Sequence, residues 1–290
     1  MLNWSISGKT KLCGVIGDPI EHSMSPVMYN AAFIELRLNY IYVPFKVRKE
    51  DLSKAIEGVR ALNIKGLNVT IPHKIAVTQF LDELDPLAEN IGAVNTIVNN
   101  DGILKGYNTD ALGFLQTLLE KGIELKGEKV VILGAGGASR AISFLLAQRG
   151  ANLLILNRTL DKAKECADRV SNVFQREVKA LALNRQNLIR ALKEADILVN
   201  TTNVGMSPNT ETTLVTSDLI KPHLIVFDIV YNPIKTKLLM EADKAGAQTI
   251  SGAEMLVWQG ALAFEKWTTL KAPIELMRKK VINELERREN

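Results

Sequence analysis

The chain has 290 residues, 47% of them hydrophobic and 23% charged, a globular composition large enough for two domains and without the bias of a disordered segment. A net charge of +4, spread through the sequence, does not imply nucleic acid. The densest basic cluster, Arg278-Lys279-Lys280 with Arg287-Arg288, shares its helix with Ile274, Met277, Val281 and Leu285 and reads as a solvated helix face. No apolar run approaches a membrane span and Met1 to Leu12 lacks a secretory core, so a soluble cytoplasmic protein is expected. Cys13 and Cys166 stand far apart without a CxxC, and His22, His73 and His223 lack ligand spacing, which argues against disulfides and metal alike.

In chain order, a strand over Lys11 to Gly17 precedes a helix from Ser25 to Leu38, with Pro26 in its first turn. A strand over Tyr40 to Val47, a helix over Glu50 to Leu62 and a strand over Gly66 to Ile71 follow. Pro72 is expected to open another helix. Strands over Val94 to Val98 and Ile103 to Tyr107 flank Asn99-Asn100-Asp101-Gly102, a hairpin turn by composition. Thr109 to Gly122 is helical, with Gly122 closing it. From Val130 the alternation is regular: strands over Val130 to Leu133, Leu153 to Leu156, Lys179 to Leu183, Asp196 to Thr201, Leu224 to Ile229 and Ala247 to Ile250, with helices over Ala138 to Arg149 and Leu188 to Ala195. Such a pattern predicts an α/β fold with a parallel, doubly wound sheet. Two helices, Glu254 to Thr268 and Pro273 to Arg288, close the chain. The domains expected are 1–110, 111–252, and a C-terminal pair, 253–290, returning to the first.

The turn Gly134-Ala135-Gly136-Gly137-Ala138-Ser139 lies between a strand and a helix, where unpaired N–H groups and the helix dipole favour a pyrophosphate. About 20 residues on, where a carboxylate would bind a bare ribose 2′-OH, the chain has Asn157-Arg158-Thr159 instead. Arg158 offers a permanent charge and a planar donor fork suited to a 2′-phosphate, Asn157 and Thr159 add neutral donors, and Lys162 adds charge. The combination points to NADP.

Three further segments carry candidate chemistry. In Asn68-Val69-Thr70-Ile71-Pro72-His73-Lys74, a helix opened by Pro72 would put Lys74 in its first turn, where the dipole disfavours an ammonium and makes it more acidic; such a lysine can protonate an oxygen that gains charge, and the alternative is a surface lysine. Asn68 and Thr70 share a strand face and could bind polar substrate groups. Asp110 in Asn108-Thr109-Asp110 could cap a helix or, placed beside Lys74, orient its amine. Asn95 could bond a hydroxyl. In Gly17-Asp18-Pro19-Ile20-Glu21-His22-Ser23-Met24-Ser25-Pro26, Ser25 reads as an N-cap, and both serines ahead of a helix would suit a carboxylate. Gln259 is an amide within an apolar helix, better explained by a ligand than by lone burial.

The ordered set G-D-P-x-x-H-S-x-S-P, N-V-T-I-P-H-K, G-A-V-N-T, N-T-D, G-A-G-G-A-S-R, N-R-T, D-I-V-Y-N-P and M-L-V-x-Q-G-A resembles the shikimate dehydrogenases across nearly the whole chain. That resemblance implies an N-terminal α/β substrate domain, a Rossmann-like NADP domain, and NADPH-linked reduction of 3-dehydroshikimate to shikimate on the route to chorismate and the aromatic amino acids. It implies Lys74 and Asp110 as the catalytic pair. Substrate contacts would be Ser23, Ser25, Asn68, Thr70, Asn95, Tyr231 and Gln259. Cofactor contacts would be Gly134, Ala135, Gly136, Gly137, Ala138, Asn157, Arg158, Thr159 and Lys162, with Ile229 and Gly252 near the nicotinamide, and the substrate would sit in an interdomain cleft. Two departures are visible: Tyr29 where many relatives have histidine, and Lys162 where arginine is frequent. The alternatives are a quinate/shikimate dehydrogenase of relaxed specificity, a non-catalytic NADP-binding regulator, and a methylene-tetrahydrofolate dehydrogenase, against which the serine motif and Gln259 argue. A small-molecule substrate is expected, with no nucleic acid, membrane or metal; a homodimer is left open.

Overall fold

The computed structural model describes residues 6–289, so the leader expectation for Met1 to Leu12 falls partly outside the described residues. The chain divides into two compact units: residues up to Gly113 together with Val257–Glu284, and Phe114–Leu256 together with the segment from Leu285. The divisions after 113, 256 and 284 all fall inside helices, the first two a few residues beyond the expected bounds at 110 and 252. Apolar periodicity runs through such a helix without a break, so sequence pattern cannot mark where one unit ends.

The first unit opens with β1 (Lys11–Gly17), α1 (Ser25–Glu35), β2 (Tyr40–Lys46), α2 (Leu52–Ala61) and β3 (Gly66–Val69), then β4 (Glu83–Leu84), α3 (Pro86–Ile91), β5 (Thr96–Asn100), β6 (Ile103–Tyr107) and the start of α4 (Asp110–Glu120). Its sheet has the order β2-β1-β3-β5-β6-β4. β1 pairs in parallel with β2 and β3, whereas β5 is antiparallel to both β3 and β6. The β5–β6 hairpin turns on Asp101 and Gly102, both at positive φ (51° and 93°), as a two-residue turn matched to strand twist requires. Alternation along the strands sends Ile16, Leu67, Val69, Ile97 and Leu104 to one face, where they bury Ile56 and Val59 of α2.

One expectation fails here. Pro72 opens no α-helix: residues 71–75 form turns, followed by a short 3-10 segment, Ala76–Phe80. The Lys74 carbonyl, which a helix would have given to residue 78, accepts instead from the Val94 N–H at 2.8 Å. The His73 ring is buried and its Nε2 lies 2.7 Å from the Val47 carbonyl; a carbonyl only accepts, so Nε2 carries the proton. Tertiary hydrogen bonds thus override the local signal, and the helix-dipole argument at Lys74 does not apply.

The second unit carries β7 (Lys129–Leu133), α5 (Gly137–Gln148), β8 (Asn152–Asn157), α6 (Leu160–Phe174), β9 (Lys179–Ala182), α7 (Arg185–Leu192), β10 (Ile197–Asn200), β11 (Ile225–Asp228), α8 (Lys237–Lys244) and β12 (Gln248–Ser251). All pairs are parallel and the order is β12-β11-β10-β7-β8-β9. Read from β9, that is the doubly wound order of a dinucleotide-binding fold, with β7 first in chain and central in the sheet. Val130, Val131, Ile132 and Leu133 are all buried, because helices cover both faces; a continuous apolar run is what such a strand needs.

The chain closes with α9 (Gly252–Thr268) and α10 (Ile274–Glu289). From Val257 to Glu284 these helices belong to the first unit. Trp267 anchors α9 there: its Nε1 donates to the Ile97 carbonyl at 2.9 Å, and its ring lies over Gly66, where a Cβ would collide with the indole. Around it Tyr29, Phe33, Tyr40, Tyr42 and Phe264 stack on the sheet face opposite α2. Burying each such ring stabilises by about 1.5–3 kcal/mol, and ring pairs add about 0.5–1.5 kcal/mol.

Candidate active site

Asn108 decides what Asp110 can do. Its Oδ1 accepts from the Ala111 N–H at 3.2 Å and its amide donates to the Ala93 carbonyl at 2.9 Å, so the first turn of α4 is capped by Asn108 and the capping reading of Asp110 is corrected. The Asp110 carboxylate is left for other partners. Lys74 Nζ donates to its Oδ2 at 2.6 Å and Asn95 Nδ2 to its Oδ1 at 3.0 Å. The Lys74 and Asp110 side chains are only 16% and 6% exposed, in a setting where an ion pair is screened far less than at the surface. Lys74 keeps enough contact with solvent to meet a ligand; Asp110 does not.

Asn95 is the hub behind the pair. Its amide also reaches Thr109 Oγ1 at 2.9 Å and Gln259 Oε1 at 3.2 Å, and its Oδ1 accepts from the Thr109 N–H at 2.7 Å. Asn68 joins by donating to the Asn95 carbonyl and to Thr96 Oγ1, both at 3.2 Å, and by accepting from the Tyr42 hydroxyl at 2.6 Å. Every one of these polar groups is buried. Buried amides and hydroxyls are tolerated only when bonded, and a satisfied network fixes each rotamer. Strand β3, the turn after it, the entry to β5, the start of α4 and the middle of α9 bring five predicted residues, Asn68, Lys74, Asn95, Asp110 and Gln259, into one polar cluster within the first unit. Gly113 lets α9 close on α4 at this point, since a Cβ there would strike Gln259.

Ser23 and Ser25 are placed differently from expectation. Helix α1 starts at Ser25 with Met24 as its cap residue and no side-chain cap bond. Ser23 Oγ accepts from the Ser25 N–H at 3.3 Å, so Ser23 steadies the turn and the Ser25 hydroxyl is not used as an N-cap. Thr70 follows β3 and continues its pairing with β1 through the Ile16 carbonyl at 3.0 Å. None of these three hydroxyls joins the Asn95 cluster through a bond among the described residues. Tyr29 stacks on Tyr42 with ring centroids 4.5 Å apart, backing the cluster from α1. Thr96, Thr109, Tyr42 and Asn108, which knit the site, were not singled out by sequence; Thr96 lay inside the quoted G-A-V-N-T motif and Asn108 and Thr109 inside N-T-D, and that placement was the available signal.

In the second unit the glycine turn has the shape its sequence implies. Gly134 sits at φ +110°, a conformation that disfavours any side chain, and a Cβ there would also strike Thr201 Oγ1. Gly136 caps α5 with no side chain to bond the first-turn N–H groups, and a Cβ on it would meet open space. Gly137, Ala138 and Ala135 are half-buried around it. At the end of β8, Asn157 donates to the Thr159 carbonyl at 2.9 Å, bending the chain so that Arg158, Thr159 and Lys162 are exposed. Unspent helix-start donors, an open glycine cradle and two exposed cations form a donor set that fits a phosphorylated dinucleotide. Ile229 and Tyr231, both half-buried, follow β11, and Gly252 follows β12. A Cβ on Gly252 would collide with the Ile229 carbonyl. No group of three or more His, Cys, Asp or Glu among the described residues could hold a metal ion, and no helix of the described residues is long and apolar enough to cross a membrane.

Comparison with known proteins covers both units. A model of the shikimate dehydrogenase substrate-binding domain matches residues 15–97, one of shikimate/quinate 5-dehydrogenases matches 117–236, and one of the shikimate 5′-dehydrogenase C-terminal domain matches 252–282. The NADP(+) shikimate dehydrogenase of Methanopyrus kandleri is 51% identical, over 97% of this chain and 98% of that one. A crystal structure of a shikimate dehydrogenase in complex with NADP+ superposes with a TM-score of 0.91 at 44% identity, covering 97% of this chain and 98% of the other. The Thermus thermophilus enzyme, solved with NADP(H) and shikimate, gives a TM-score of 0.84 at 36% identity, over 94% of this chain and 99% of that one. Identity of this degree along nearly the full length of both sequences makes the chain a member of the shikimate dehydrogenase family.

Proposed function

We propose that this chain interconverts 3-dehydroshikimate and shikimate with NADP(H), the first unit binding the substrate and the second the cofactor. The observation that carries the reading is the 2.6 Å contact between Lys74 Nζ and Asp110 Oδ2 inside a buried, hydrogen-bonded polar cluster. Bound NADPH supplies a hydride to the C3 carbonyl. Lys74 Nζ donates its proton to the carbonyl oxygen as that oxygen gains charge, and in the reverse direction takes the proton from the hydroxyl. Asp110 holds the amine in register, and Asn95, bonded to the other carboxylate oxygen, fixes the carboxylate. Positioning and electrostatic preorganisation do most of the work.

Asn68, Thr70, Asn95 and Gln259 bind the ring hydroxyls, Ser23 and Ser25 the carboxylate, and Tyr231 a further polar edge of the substrate. Gly134 to Ala138 receive the pyrophosphate, Asn157, Arg158, Thr159 and Lys162 the 2′-phosphate, while Ile229 and Gly252 frame the nicotinamide. A cytoplasmic location suits this chemistry and the two buried free thiols, Cys13 and Cys166. The test is formation of the reduced nicotinamide with shikimate against quinate, each supplied with NADP (giving NADPH) and with NAD (giving NADH). Turnover of shikimate with NADP above all other pairs is expected. Comparable turnover of quinate points to the relaxed enzyme, and nucleotide binding without turnover overturns the assignment.

A further inference from the structure

Asp228 is a fully buried carboxylate that the mechanism above does not use. Its Oδ1 accepts from Asn200 Nδ2 at 2.9 Å and from the Val230 N–H at 3.1 Å, and its Oδ2 from Thr236 Oγ1 at 2.7 Å. Each partner leads to a different element. Asn200 ends β10, and its Oδ1 accepts from the N–H and hydroxyl of Thr202 at 3.1 and 2.7 Å. Thr236 caps α8 by accepting from the Leu239 N–H. Val230 lies in the segment that leaves β11. Among the described residues no ion pair reaches the carboxylate: the flanking strands β10 and β12 carry no ionisable side chain, Lys235 pairs with Asp243 at 2.6 Å, and Lys237 lies 3.9 Å from Glu211. Of the other charged groups of α8, Glu241 accepts from the Ser217 N–H at 2.8 Å and Lys244 lies in the last turn. Burial pushes Asp228 up to about 6, and only the bonds from Thr236, Val230 and Asn200 oppose the rise. A charge held in this way costs folding stability, so a gain other than stability is the reason to look for.

We propose that Asp228 is a positioning residue: by holding the Val230 amide against β10 and α8, it fixes the strip Ile229 to Tyr231 on which the nicotinamide and substrate contacts depend. This rests on the reading of Ile229 and Tyr231 given above. The strip has few other anchors of its own; the Ile229 N–H bonds the Asn200 carbonyl at 3.1 Å and the Asn232 carbonyl accepts from the Ser207 N–H at 2.9 Å. Without the carboxylate three donors lose their acceptor at once, and the strip is the element free to move.

The test compares Asp228→Asn with Asp228→Leu in the full-length protein. The asparagine keeps the acceptor for Val230 and Asn200, and its amide donates to Thr236 Oγ1; the leucine keeps the bulk and removes every acceptor. Three quantities are read: kcat, the KM for shikimate, and the Kd of 2′,5′-ADP, which probes the phosphate contacts without a nicotinamide. Asp228→Asn is expected within about threefold of wild type throughout. Asp228→Leu should lose at least about tenfold in kcat/KM for shikimate, while the 2′,5′-ADP Kd stays within about twofold. Leucine behaving as wild type, asparagine failing as leucine does, or 2′,5′-ADP affinity falling in step with turnover each overturns the proposal. Should the leucine variant not fold, Asn200→Ala removes one tether, and an unchanged kcat/KM there overturns it equally. Absence of shikimate turnover in the wild type instead defeats the functional reading itself, and so is told apart.

Discussion

Replacing Lys74 with methionine separates what the ammonium does for the reaction from what it does for the fold. The substitution keeps the length of the side chain and deletes the charge 2.6 Å from Asp110 Oδ2. Asp110 is then a carboxylate with a 6% exposed side chain and one remaining side-chain partner, Asn95 Nδ2 at 3.0 Å. Breaking a fully buried pair by removing one member destabilises by about 3–5 kcal/mol; the partial exposure of Lys74 sets the expectation below that range, at about 2–3 kcal/mol. Losing the proton donor should lower kcat by about 10²–10⁴, with a much smaller change in KM, because the interaction strengthens as the oxygen gains charge. In Lys74→Met/Asp110→Asn no charge is left buried, so most of the stability returns while activity does not. Urea unfolding and steady-state oxidation of shikimate on both single variants and the double variant read the two cycles. A Lys74→Met enzyme turning over within tenfold of wild type refutes the catalytic assignment. Strictly additive stabilities refute the claim that the pair is energetically coupled.

Arg158→Ala should raise the KM for NADP by about 10–100-fold, the loss of a charge-assisted bidentate contact, and leave the KM for shikimate unchanged; an unaltered preference for NADP over NAD in parallel assays contradicts the 2′-phosphate reading. Asp228 makes stability depend on pH. Its folded-state value is about 6 against 3.8 for the free side chain, so the native state keeps the proton longer and stability falls as pH rises through that window, by about 3 kcal/mol in all at 1.36 kcal/mol per unit. Urea midpoints between pH 4 and 7 should show this fall in wild type and a flatter profile in Asp228→Asn; identical slopes count against it. His73→Leu removes the donor to the Val47 carbonyl, leaves the turn bearing Lys74 less constrained, and should lower kcat several-fold without changing the NADP KM, with His73→Gln recovering most of the loss. Equal rates for all three proteins would show that the bond does not position the lysine.

The second unit was the more legible half because its signals are local. A buried parallel strand needs an apolar run, the turn after β7 needs a glycine at Gly134, where φ is +110°, and the residues proposed to choose the cofactor, Asn157 to Thr159, are adjacent in sequence. The first unit hides its logic in long-range bonds. Pro72 looked like a helix start, yet the chain there follows the Lys74 carbonyl to Val94 and the His73 ring to Val47, partners 20 and 26 residues away, which periodicity cannot register. Ser25 before Pro26 looked like a cap, yet the turn is steadied by Ser23. Asp110 looked equally fit to cap α4 or to meet a lysine, and only the neighbouring Asn108, by taking the cap, resolves it.

The two units also handle buried charge in opposite ways, and this explains which functional groups a sequence can reveal. Around Lys74 and Asp110 the protein gathers neutral amides and hydroxyls, so that one ion pair is held by groups that cannot compete with it for charge; an acid or base in place of Asn95 or Gln259 would draw either member away. The motif residues there are mostly Asn, Thr and Gln, types that in isolation read as turns and caps. In the second unit the cations proposed to meet the nucleotide, Arg158 and Lys162, stay at the surface, where the absence of an acid from the end of β8 itself is noticeable. Asp228 reverses the rule: a lone carboxylate at a strand end, between Phe227 and Ile229, with its partners at Asn200, Val230 and Thr236. Nothing in its immediate sequence marks it as buried, since strands often end in aspartate at a turn. Only the three donors converging on it, from two other elements and its own exit loop, show that the residue is committed to holding backbone in place.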